Sequence, residues 1–262
     1  ENPDYQQFLA ENEWWLSDYA LFMAVKDRFE GRPWTEWAED IRLRYGYAMD
    51  YYRRELYFDI EFQKYLQFTF YKQWNKLKAY VNSLGIRMIG DIPIYVAFDG
   101  ADSWCHPELF QFDEENLPKA VAGCPPDAFA ETGQLWGNPL YDWKYLKFNK
   151  FKFWTDRIGW ASKIFDITRI DHFRAFDSYW DIPVDAPTAI EGSWKYAPGY
   201  ELFDQLYASL GSIDLVAEDL GYLRPEVIEL KNHYHLKGMK VFQFMLDDGF
   251  NDLEHSYFYP GT

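Results

Sequence analysis

The chain has 262 residues, enough to bury a sizeable core in one large domain or two small ones. With 42 acidic against 26 basic side chains, a net charge of −16 and a pI near 4.7, its average field repels phosphate backbones, which argues against a nucleic-acid partner. No run of about twenty apolar residues is present to span a bilayer, the start "ENPDYQQFLAENEWW" lacks the basic-then-apolar pattern of a signal peptide, and Cys105 and Cys124 fit no metal-ligand or disulfide spacing; a soluble cytoplasmic chain with reduced thiols is expected.

In chain order, the first third reads as helical. From Asp50 to Leu84 the residues Phe62, Leu66, Phe70, Leu77, Val81 and Leu84 recur at spacings of three, four and seven, which predicts an amphipathic helix with that stripe in the core and Gly85 as its C-terminal stop. The texture then changes to short apolar runs separated by helices, the alternation expected of parallel strands with crossovers. The runs are "IRMIGD" to Asp91, "IFDITRID" to Asp171, "IDLVAED" to Asp219 and "MKVFQF" to Phe244. Helices are predicted at 150–163, 200–210 and 225–235, the last opened by Pro225.

Three of the four strands end in a carboxylate: Asp91, Asp171 and the Glu218–Asp219 pair. Taken singly, each is the N-cap of a following helix. Taken together they describe a site, because in parallel α/β folds the C-terminal ends of separate strands converge on one rim. Two chemistries are open to such acids. As oxygen ligands of Mg²⁺ they would serve a metal-dependent barrel enzyme, with a lysine or histidine base on a neighbouring strand. No lysine stands at these strand ends; the basic residue beside the central acid is Arg169, two positions before Asp171 and so on the same strand face. A guanidinium against a carboxylate keeps it ionised and competes with a metal for its oxygens. Glu218, closing an apolar run beside Asp219, is placed for burial and a like charge to raise its pKa. One acid kept charged and one kept protonated is the division of labour of retaining glycoside chemistry.

Aromatics make up 21% of the chain, and sugars stack flat C–H faces on Trp and Tyr. The segment "GCPPDAFAETGQLWGNPLYDW" combines turn residues with Asp127, Gln134, Trp136, Asn138, Tyr141 and Trp143 and reads as a long functional loop. Gln134 and Trp136 are assigned to sugar contact there, Tyr141 and Trp143 to the opening of a helix.

Four ordered stretches, "GDIPIYVAFDGADSW", "GQLWGNPLYDW", "RIDHFRAFDSYW" and "AEDLG", together with "NEWWLSDYALFMAVKD", "GRPWTEW" and "GMKVFQF", resemble the motif series of the amylomaltases, the 4-α-glucanotransferases of glycoside hydrolase family 77. The resemblance covers essentially the whole chain. It implies a (β/α)8 TIM barrel of the α-amylase superfamily type, with residues 1–84 as a helical subdomain inserted in or packed on it and 85–262 as its central part. It implies Asp171 as nucleophile, Glu218 as general acid/base and Arg169 as the nucleophile's partner. Asp91, Tyr95, Asp127, Gln134, Trp136, Asn138 and His172 would contact substrate. Malto-oligosaccharides and α-1,4-glucans would be donor and acceptor, glucose an acceptor, with no metal or organic cofactor. The family's third carboxylate lies in a Gly-Thr-His-Asp-Asn motif of which Gly261 and Thr262 match the first two letters, so the chain is expected to be the middle of a longer protein, lacking that acid and the first barrel strands. The rivals are the metal-dependent barrel enzyme and a non-catalytic glucan-binding protein.

Overall fold

A computed structural model describes residues 2–127, 130–221 and 223–241. Two compact units divide the chain: Glu1–Gly85 with Val96–Lys119 and Asn138–Leu140, and Ile86–Tyr95 with Ala120–Gly137 and Tyr141–Thr262.

The first unit is helical: α1 (Pro3–Arg28), α2 (Glu39–Arg42), α3 (Gly46–Glu55) and α4 (Tyr57–Ser83). The Asn2 side chain caps α1 by accepting from Asp4 N, Pro3 occupies its first turn, and Lys26 and Arg28 oppose the dipole at its end. The segment read as one helix from Asp50 is two, α3 and α4, meeting at Leu56, and Gly85 does end the second in a left-handed conformation (φ 76°). The predicted core stripe is a correction. Phe62, Leu66, Phe70, Leu77 and Leu84 are exposed, and Val81 is half-buried. The face of α4 that packs carries Ile60, Gln63 and Phe68, because α1 lies along it with Tyr5 and Phe8 edge-on or tilted against Phe68 and Trp15 against Tyr71. A long helix with two apolar stripes shows both in its sequence, and only the partner decides which is buried. The core of this unit gathers Phe22, Val25, Trp34, Trp37 and Ile41 around Trp104 of α5 (Ala101–Cys105).

The second unit holds two sheets. The parallel one has the order β1-β4-β7, from β1 (Ile89–Ile92), β4 (Ile167–Ile170) and β7 (Leu215–Ala217), with Asp91 in register with Arg169 and Ile170 with Ala217. The helices α7 (Lys152–Ile164) and α8 (Gly199–Leu210) lead into β4 and β7, and α9 (Pro225–His233) follows β7, all within two residues of expectation. Beyond α9 the ladder continues as a parallel bridge between Val216 and Lys237. The expected strand "MKVFQF" is described only to Val241, and its remainder, like Gly261 and Thr262, lies outside the described residues.

The second sheet has the order β3-β2-β5-β6 and is antiparallel at β2–β5 and β5–β6: β2 (Ala120–Cys124), β3 (Gln134–Pro139), β5 (Ser178–Pro183) and β6 (Ser193–Tyr196). It corrects the reading of 123–143 as one long loop: that segment begins in β2, contains β3, and then opens α6 (Trp143–Phe148), capped by Asp142. The sheet is silent in the sequence because its strands do not alternate. Four of the five residues of β2 are buried, and all four of β6 are exposed. Among the described residues no helix is long and apolar enough to cross a membrane.

Candidate active site

Asp91, Asp171 and Glu218 come together because β1, β4 and β7 are hydrogen-bonded neighbours running the same way. The ladder carries on through the two acids beyond the strand ends: Asp171 N donates to Ile92 O at 2.9 Å and Glu218 N to Ile170 O at 3.0 Å. Arg169 sits across from Asp91 in the register and two residues before Asp171, so its guanidinium bridges both. Nη1 donates to Asp91 Oδ1 at 2.7 Å, Nη2 to Asp171 Oδ1 at 2.8 Å, and Nε to the Met239 thioether at 3.0 Å. Burial works against the Arg169 charge, but the two carboxylates outweigh it and raise its pKa.

Glu218 accepts two backbone N–H groups, from His172 to Oε2 and from Leu220 to Oε1, each at 2.9 Å. Its pKa is raised, first by burial and further by the Asp171 charge, while the two N–H bonds and Arg169 pull the other way. The like charge expected from Asp219 is not what acts here. Asp219 is the next residue along an extended segment, and it is neutralised by Lys231 Nζ at 2.6 Å. His172 adopts the left-handed conformation (φ 50°), a strained one for a non-glycine residue; it turns the chain from β4 into the short helix of Phe173–Phe176. Burial, and then the nearby Arg174 cation, lower the His172 pKa to about 4, so the ring is neutral at physiological pH.

Trp136, 37% exposed, stands edge-on to His172 with centroids 4.8 Å apart and donates from Nε1 to Gln134 Oε1 at 3.0 Å. Tyr95 lies beneath it, buried and stacked on Tyr141 at 6.0 Å. Asp127 is exposed and accepts from Ala130 N at 2.7 Å. Asn138 belongs to the helical unit, where its amide donates to Val96 O at 2.8 Å. Sequence reasoning passed over three neighbours. Met239 bonds Arg169. Arg174 lies over Trp194 with its guanidinium carbon 4.1 Å from the ring centroid. The Cys124 thiol is pushed up to about 11 by burial, against the Arg174 cation, with smaller contributions from Asp127, Glu218 and Asp171. Arg174 was visible as a fourth charge in "RIDHFR"; Met239 and Cys124 carry no pattern that marks them. Among the described residues no three His, Cys, Asp or Glu side chains are grouped to hold a metal ion.

The family model described as 4-alpha-glucanotransferase, glycoside hydrolase family 77, matches residues 1–260. The 4-alpha-glucanotransferase of Thermus thermophilus is 47% identical over 259 residues, 98% of this chain and 52% of that protein. That of Clostridium butyricum is 44% identical over 260 residues, 98% of this chain and 53% of that protein. Among solved structures, amylomaltase from Streptococcus agalactiae in complex with acarbose superposes with a TM-score of 0.92 at 42% identity, over 97% of this chain and 52% of that one. Amylomaltase from Corynebacterium glutamicum, at 19% identity and a TM-score of 0.71 over 90% of this chain and 31% of that one, shares the fold. The chain thus spans about half the length of the 4-alpha-glucanotransferases it matches.

Proposed function

The chain belongs to the 4-alpha-glucanotransferase family, glycoside hydrolase family 77, and from that premise we propose that the protein transfers α-1,4-glucan segments between malto-oligosaccharides by a retaining double displacement. Asp171 attacks the anomeric carbon of the donor while Glu218 protonates the glycosidic oxygen, so that the C–O bond breaks and a glycosyl ester forms on Asp171. Glu218, now a carboxylate, takes the proton of an acceptor 4-hydroxyl, whose oxygen displaces Asp171 from the anomeric carbon. Two inversions leave the α configuration unchanged.

The observation that carries this reading is the Arg169 bridge from Asp91 to Asp171 on strands that adjoin Glu218. A planar fork fixes the direction of the Asp171 oxygens without itself being able to give up a proton. Burial and the neighbouring charge raise Glu218 toward the protonated form that a donor needs. A neutral His172 ring and the amide of Gln134 supply hydroxyl partners, with Trp136 as the stacking surface. Malto-oligosaccharides and α-1,4-glucans are donors and acceptors in this reading, glucose is an acceptor, and the protein works in the cytoplasm.

The test is incubation of the full-length protein with maltotriose and ¹³C-glucose. Transfer places label at the reducing end of longer oligosaccharides with the number of reducing ends constant. A rise in reducing ends would identify a hydrolase, intact maltotriose a binding protein, and loss of transfer on adding EDTA a metal-dependent enzyme.

A further inference from the structure

Glu218 is followed by a second acid with a different set of contacts. Asp219 Oδ2 accepts from Lys231 Nζ of α9 at 2.6 Å, and Oδ1 accepts from Met239 N at 2.7 Å. The pair is nearly enclosed, with side chains 10% and 19% exposed. The residue before Met239 is Gly238, and a Cβ there would collide with the Asp219 carboxylate. This is a close approach that only glycine permits. Alongside, Ala217 N donates to Lys237 O at 2.8 Å, so the chain returning from α9 is tied to the end of β7 by backbone and side chain together.

Two paths run from this clamp to the reacting acids. The first is the peptide bond between Asp219 and Leu220, whose N–H is the donor to Glu218 Oε1. The two bonds to the Asp219 side chain hold its Cα against α9 and Met239, at the start of that peptide plane. The second path is Met239. Its N–H is held by Asp219, and its sulfur accepts from Arg169 Nε, the guanidinium that also holds Asp171. One carboxylate therefore lies one residue away from the proton donor and three contacts, through Met239 and Arg169, from the nucleophile.

We propose that the Asp219–Lys231 ion pair is a positioning device for both catalytic carboxyl groups, setting the Leu220 N–H on Glu218 and, through Met239, the Arg169 fork on Asp171. Asp219 and Lys231 touch no reacting atom and act only through these neighbours. The proposal rests on the glucanotransferase reading above. An N–H that bonds the charged form of Glu218 lowers its pKa, so releasing that N–H raises it. Among the described residues, the charged and titratable groups that act on Glu218 are Asp171 and Arg169 on the β4 side and Cys124 at the end of β2, beside the His172 N–H that bonds it. None of these is altered in the variants that follow.

The experiment compares full-length wild type, Asp219→Asn, Lys231→Met and Lys231→Arg in maltotriose disproportionation across pH, with thermal melts as a fold control. Asp219→Asn and Lys231→Met are expected to lower kcat about tenfold with KM nearly unchanged, and to move the alkaline limb of kcat/KM, where the proton donor ionises, to higher pH. Lys231→Arg, which keeps the cation, is expected to restore most of the rate. A limb superimposable on wild type, or a rate loss that merely follows the loss of folded protein, overturns the positioning role. Wild type that does not transfer glucosyl units at all overturns instead the reading of function on which it rests.

Discussion

Replacing Arg169 by lysine keeps the positive charge and removes the fork, which makes it the sharpest perturbation of the site. In the structure the guanidinium makes three bonds, at 2.7 Å to Asp91, 2.8 Å to Asp171 and 3.0 Å to the Met239 sulfur. An ammonium is a point donor that cannot span two carboxylates on adjacent strands in the same plane. At least one charge-assisted bond is lost, worth about 1.5–3 kcal/mol where it holds a reacting group. If Asp171 is the nucleophile, that loss falls on the transition state and lowers kcat/KM roughly 10- to 150-fold. Stability should change far less. Asp91 and Asp171 are partly open to solvent, with side chains 61% and 47% exposed, and ion pairs of that kind contribute about 0–1 kcal/mol to folding. The assay is glucose release from maltotriose by full-length Arg169→Lys beside its thermal midpoint. Turnover equal to wild type, or a rate loss no greater than the loss of folded enzyme, refutes the role of the fork.

Two further predictions concern pH. Glu218 has a raised folded-state pKa, so its contribution to stability is fully present below the unfolded glutamate value and is lost as pH rises through the folded value; Glu218→Gln should therefore melt above wild type at pH 8 and at the same temperature near pH 4, and a variant less stable at pH 8 contradicts the burial argument. His172 has a depressed value, about 4 against 6.5, so its contribution is present above pH 6.5 and is lost as pH falls toward 4. His172→Gln should flatten the fall in thermal midpoint over that window, and an unchanged slope contradicts it.

The parallel part of the molecule was legible because buried strands read as apolar runs and their ends as charge. Asp91, Arg169, Asp171 and Glu218 could be placed on one rim from three such runs, and the period-two rule alone put Arg169 beside Asp171. The link from Arg169 to Asp91 was not legible, since it depends on β1 lying next to β4, a fact of topology. The antiparallel sheet was hidden because β6 is exposed on both faces and β2 buried along most of its length, so neither shows alternation. The stripe on α4 misled for a related reason: Phe62, Leu66 and Phe70 mark an apolar face correctly, but periodicity does not name the surface that covers it. For Asp219 the sequence suggested a charge acting on Glu218. Lys231, twelve residues on, takes up that charge, and no local pattern announces such a pairing.

In the proposed reaction Asp171 carries the sugar and Glu218 handles the proton, a division of labour that one experiment can reach. It is tested most directly by mass spectrometry of peptides from full-length Glu218→Gln treated with α-maltosyl fluoride, a donor whose leaving group needs no protonation. A maltosyl adduct is expected on the peptide containing Asp171, accumulating because no base is left to activate an acceptor, and no adduct when Asp171→Asn is added. A sugar found on another residue, or a Glu218→Gln protein that processes maltotriose at the wild-type rate, contradicts it.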